Sequence, residues 1–127
     1  MAITHPSAVR TAIADLVVDR ADLGTTAAAG KIRVYQGSTT IVDILLANPA
    51  FGAAAAGVAS GSSLPKEGTA VADGTVDKFE LLDRDNVVVF TGLVTNTAGA
   101  GDMKITNTAI KTSEVVRINT MTYTAPL

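Results

Sequence analysis

Cysteine and tryptophan are absent from this 127-residue chain, aromatic residues make up 4% of it, and histidine occurs once. Without cysteine there is no disulfide framework, no thiolate metal site and no thiol nucleophile, so stability beyond the core must come from packing or from partners. The redox compartment stays open. So few aromatics leave a single-strand stacking platform without its stacking residues, and a sugar-binding cleft without its tryptophan. Charge is scarce too. Asp, Glu, Lys and Arg total 17%, against about 25% in an average soluble domain. The formal net charge of −2 provides no field that would gather nucleic acid or acidic lipid. Neither nucleic acid nor a membrane is an expected partner. Long hydrophobic runs are missing as well: Arg10, Asp15, Asp19 and Arg20 interrupt the stretch from Ala8 to Leu23, which excludes a signal-peptide core or a membrane span there. The expectation is a soluble, unprocessed protein.

What is present is small and neutral. Alanine accounts for 21 residues and threonine for 17, so the larger apolar side chains suffice for one modest core and much of the surface is hydroxylated. The length fits one β-rich domain spanning 1–127 and leaves no room for a second self-sufficient core.

Val9, Ala12, Ile13, Leu16 and Val17 recur at spacings of three and four, which predicts an amphipathic helix with one apolar face. It is expected from about Pro6, which loses nothing by lacking an N–H in a first turn, to Leu23, with Gly24 as terminator. An Ala/Thr-rich link, Thr25 to Gly30, follows.

From Lys31 the period changes to two. Ile32 and Val34 alternate with Lys31, Arg33 and Tyr35, and after Gln36-Gly37-Ser38 a second apolar run extends from Thr40 to Leu46. This predicts a β-hairpin, ended by Asn48-Pro49. Phe51 is the one large anchor ahead of the low-complexity stretch Gly52 to Ser63, a short helical turn or a small-residue strand whose side chains would let another backbone come close. Pro65 to Gly74 reads as a loop. A second hairpin is expected from Thr75 to Leu82, the turn Asp83 to Asn86, and Val87 to Thr95, whose Val-Val-Val-Phe run is the strongest strand signal in the chain. After a turn at Thr97 to Gly101 come short strands at Met103 to Thr108 and Val115 to Thr124, closed by Pro126. Short strands at turn-punctuated intervals predict a mainly β fold: an antiparallel β-sandwich or jelly roll with one N-terminal α-helix covering a sheet face or an open end. No fixed-period repeat or heptad pattern supports a solenoid or a coiled coil.

Candidate chemistry is thin. His5 stands at the head of the helix, where a structural or capping role outweighs the base of a catalytic triad. Asp83, Asp85 and Asn86 resemble the first ligands of a calcium loop, but neither its turn glycine nor its distal glutamate follows. Gly99-Ala100-Gly101-Asp102 precedes a strand rather than a helix and lacks the Lys-Ser/Thr of a phosphate loop. Asp73, Asp77 and Glu80 could pair for acid/base work only if buried. Thr120, Thr122 and Thr124 form a single row on one strand face. Lys31 and Arg33 share a face, while Lys66, Lys78, Lys104 and Lys111 are scattered among acids. No catalytic residue, metal ligand or cofactor is assigned, and the reading is non-enzymatic.

The pattern as a whole resembles small virion proteins of tailed bacteriophages, the kind that decorate or cement the head. The likeness runs over most of the chain. It rests on Ala2-Ile3-Thr4-His5-Pro6-Ser7-Ala8-Val9-Arg10 leading into Ala12-Ile13-Ala14-Asp15, on Asn48-Pro49-Ala50-Phe51-Gly52, on Gly74-Thr75-Val76, and on Met121-Thr122-Tyr123-Thr124-Ala125-Pro126. The resemblance implies a small β-sandwich or jelly roll that binds the outside of the assembled capsid. Its partners would be the major capsid protein and neighbouring copies of itself, and it would reside in the host cytoplasm during assembly. It also implies docking through the N-terminal segment and a sheet edge, with Ile3, Thr4, His5, Pro6, Phe51 and Gly52 as candidate capsid-contact residues. The chain departs from the pattern at Thr25 to Gly30 and Ser60 to Val71, so no contact is assigned there. A tail-tube or fibre-associated virion protein is the alternative, since strand-rich domains also stack into rings. An enzyme or ligand-binding module is the third.

Overall fold

The alternation read at Lys31 holds. In a computed structural model that describes residues 3–126, β1 (Lys31–Gln36) and β2 (Thr39–Leu45) pair antiparallel, with Val34 opposite Val42 and Ile32 opposite Ile44. All four of these side chains are buried. β1 then pairs with β6 (Lys78–Leu82), and β6 with β7 (Val88–Asn96), so Ile32 faces Leu81 and Leu81 faces Phe90. The second hairpin is therefore present as expected. A β-bulge lies in each pairing of a hairpin, at Val34/Tyr35 and at Leu81/Leu82.

The five-stranded sheet runs β2-β1-β6-β7-β8, with β8 at Met103–Ile105. β8 pairs with β7 in parallel, not antiparallel, Met103 lying beside Val94. Such a pairing ordinarily needs a long crossover. Here the connection is folded tightly: Gly99 N–H donates to Asn96 O at 3.1 Å, and the Asp102 carboxylate accepts the Leu93 N–H at 3.0 Å, which brings the chain back alongside β7.

The remaining strands form two-stranded ribbons over this sheet. β4 (Lys66–Thr69) pairs with β10 (Val115–Ile118), β3 (Val58–Ser60) with β11 (Thr122–Thr124), and β5 (Gly74–Thr75) with β9 (Ala109–Ile110). The chain is thus mainly β with one N-terminal helix, and its second layer is made of ribbons, not of one continuous sheet. Three expectations change. Pro65 to Gly74 is not a loop throughout, because β4 finds a partner in β10, as in Glu67 opposite Arg117. Val115 to Thr124 is not one strand, because its two halves serve different partners, β4 and β3. Thr75 to Leu82 is likewise divided, since β5 leaves for β9 before β6 begins.

Helix α1 covers Ser7–Asp19 and continues as one 3-10 turn, Arg20–Asp22. Pro6 is its N-cap, and its carbonyl accepts the N–H groups of Val9 and Arg10. The core lies between the sheet and the ribbons, around Ile41, Ile44, Leu81 and Val76, with Phe51 4% exposed at its margin. Leu81 is 0% exposed. Leu81→Ala is expected to cost about 2–5 kcal/mol through lost transfer energy plus a residual cavity. A urea midpoint lowered at unchanged slope would show it.

Candidate functional site

Helix α1 docks by an unexpected side. The residues it buries are Ala14 and Val18, followed by Ala21 in the 3-10 turn. Ala14 and Val18 lie about 140–180° around the axis from Val9, at 100° per residue. The docking side is completed by hydrogen bonds to the alanine-rich stretch. Asp15 Oδ1 accepts the Ala54 N–H at 2.8 Å, Thr11 Oγ1 accepts the Gly57 N–H at 3.0 Å, and Asp22 Oδ1 accepts the Ala50 N–H at 2.9 Å. Arg10 Nη2 donates to Ala125 O at 3.3 Å. The low-complexity segment is therefore a track of backbone donors, and its small side chains let the helix come close enough to accept them. Desolvation by burial raises the Asp22 carboxyl above its ordinary value, partly offset by the bond from Ala50.

The consequence is an apolar face turned outward. Val9 is 42% exposed, Leu16 64% and Leu23 49%, with Ile13 and Val17 half-buried beside them. Val9, Ile13 and Leu16 fall within about 60° of one another on the helix, so they form one stripe. Isolated exposed apolar residues need no explanation, but an aligned row on a helix is a candidate interaction surface. The spacing read in the sequence was that of this outer stripe; the signal for the docked side was the set Thr11, Ala14, Asp15 and Val18.

The six residues proposed for contact do not form one patch. Ile3, Thr4, His5 and Pro6 are exposed ahead of the helix, Ile3 at 81%. Since Thr11 bonds to Gly57, Asp15 to Ala54 and Asp22 to Ala50, helix and track run in opposite directions. The N-terminal segment thus sits at the Gly57 end and Phe51-Gly52 toward the other. Gly52 is exposed and donates its N–H to Ser60 O at 2.8 Å, whereas the Phe51 ring belongs to the core.

Other carboxylates and loops are engaged in holding the fold. Asp83 Oδ1 accepts the N–H groups of Asp85 and Val87 at 2.8 and 2.9 Å, which is a turn and not a cation loop. Asp77 accepts the Gly37 N–H, Tyr35 Oη donates to Glu80 at 2.6 Å, and Thr95 Oγ1 accepts the Gly101 N–H. Arg33 forks onto Asp43 at 2.7 and 3.0 Å, while Lys78 lies 4.6 Å from the centre of the Tyr35 ring. Thr120, Thr122 and Thr124 are all exposed. No helix among the described residues is long and apolar enough to cross a membrane.

Two carboxylates carry a pH dependence. The Thr112 N–H and hydroxyl hold the Asp73 carboxyl below its ordinary value, and the N–H groups of Thr25 and Thr26 do the same for Asp85. In such a case the unfolded state binds more protons, so the stabilisation is complete above the ordinary carboxylate value and is lost as pH falls through the depressed native one. The double variant Asp73→Asn, Asp85→Asn is expected to flatten the acid limb of thermal stability below about pH 4, followed by circular dichroism.

No family model, no curated protein and no solved structure matches the chain.

Proposed function

We propose that the protein is a non-enzymatic structural subunit of a tailed-phage virion that binds the outside of the assembled head and stabilises contacts between major capsid subunits. The observation that carries this reading is the outer stripe of α1. Val9 and Leu16 give the isolated chain little by pointing into water, with Ile13 half-buried between them, yet burying a side chain of this size against a partner contributes about 1.5–3 kcal/mol. The exposed Ile3–Pro6 segment extends the same end of the molecule, and the resemblance to head decoration proteins supplies the partner. A surface of order 800 Å² per partner suffices for a specific contact. Repeated over a shell, a modest interface of that kind resists internal pressure collectively.

Cryo-electron microscopy of the virion tests the proposal. The expected density lies on the outer face of the head, with α1 against the major capsid protein. Density confined to the tail would transfer the protein to the tail-tube or fibre-associated class and overturn the head assignment.

A further inference from the structure

The core is open on one side. A cleft of about 360 Å³ lies between β8 and the segment joining β10 to β11, with Phe51, Phe79 and Phe90 at its floor and Met103, Ile118 and Met121 among its walls. A second cleft of about 310 Å³ continues the seam and shares Lys104, Ile105 and Arg117 with the first. Phe90, Met103, Ile105, Ile118 and Met121 all pack against the core and all remain half-buried. Five large apolar side chains left partly wet along one slot indicate a missing layer of packing.

The bordering strands are unpaired on one edge each. Among the described residues, β8 is outermost in its sheet and pairs only with β7, and β10 pairs only with β4. Alternate N–H and C=O groups on such edges are free to receive another strand. An extended segment entering the seam would satisfy them by strand addition and set alternate side chains on the apolar floor.

The rim selects against a charged occupant. Asp102 already accepts the Leu93 N–H, Arg117 is already paired with Glu67, and the further charges along the two clefts, Lys104 and Glu114, are of opposite sign. One described segment has the matching character. Ile3–Pro6 contains no acid, lysine or arginine, begins with two β-branched residues, and is exposed throughout. Among the described residues, Ile3, Thr4 and His5 make no hydrogen bond, and Ile3 is the most exposed large apolar side chain. We propose that the seam receives Ile3–Pro6 of a second copy as a strand added to β8, with Ile3 seated in the cleft, so that neighbouring copies are linked by their N-terminal segments.

The absence of cysteine makes the test clean. Purified Ile3→Cys protein is mixed with Lys104→Cys protein under mild oxidation, and with Leu45→Cys protein as control, Leu45 being an exposed residue of β2. The expected result is a disulfide heterodimer at least tenfold more abundant for the Lys104 pair than for the control. In sedimentation, the parent is expected to show concentration-dependent association that Ile3→Asp abolishes. Equal yields in the two mixtures, or a parent that stays monomeric at every concentration, would overturn the proposal. Because no particle is involved, failure here is distinct from failure of the virion reading.

Discussion

Gly68→Val is expected to abolish folding at physiological temperature or to leave a protein weakened by about 3 kcal/mol or more, the upper range for overpacking. Gly68 lies in β4 where that strand passes over β2, and a Cβ at this position would collide with the Asp43 carbonyl and press on Ile44. A clash with backbone cannot be relieved by a rotamer change. Since small domains hold only about 5–15 kcal/mol of stability, separation of the β4–β10 ribbon from the sheet removes a large share of it. Thermal unfolding and the soluble yield measure the effect. A variant with the parent's midpoint would show that the ribbon is not held at this distance.

The same residue shows where the sequence is silent. Lys66-Glu67-Gly68-Thr69 contains one good β-former, and nothing local distinguishes it from a loop. It becomes a strand because β10 pairs with it and because its glycine fits against Asp43. Ile32 and Val34 were legible through their period of two, and Ile41, Val42 and Ile44 as part of the apolar run after the Gln36-Gly37-Ser38 turn. Val87 to Thr95 was legible through its β-branched run. Phe51 could be read as an anchor, but sequence did not reveal that its ring would be buried in the core. For α1, periodicity gave a stripe without a direction. The docked side was decided by hydrogen bonds that Thr11, Asp15 and Asp22 accept from distant backbone N–H groups, and local spacing does not show which distant groups supply them.

Leu16→Asp is expected to leave the purified protein as stable as the parent, because Leu16 is 64% exposed and outside the core. Its binding to expanded heads is expected to fall by at least a hundredfold. Removing an apolar anchor costs about 1.5–3 kcal/mol, and placing an unpaired carboxylate in a closed interface adds a desolvation penalty. At roughly 1.4 kcal/mol per tenfold change, the sum exceeds two decades. Asp19→Asn, at an exposed position of the same helix, serves as the control and is expected to bind within a few fold of the parent. Co-sedimentation of protein with heads that lack it gives both values. Equal binding by Leu16→Asp and parent would remove the helix stripe from the interface.

The most direct measurement is the number of copies in purified virions, obtained by quantitative mass spectrometry against the major capsid protein. A subunit that coats the head predicts hundreds of copies per particle in a fixed ratio to that protein. A handful per particle, or none, would contradict the account.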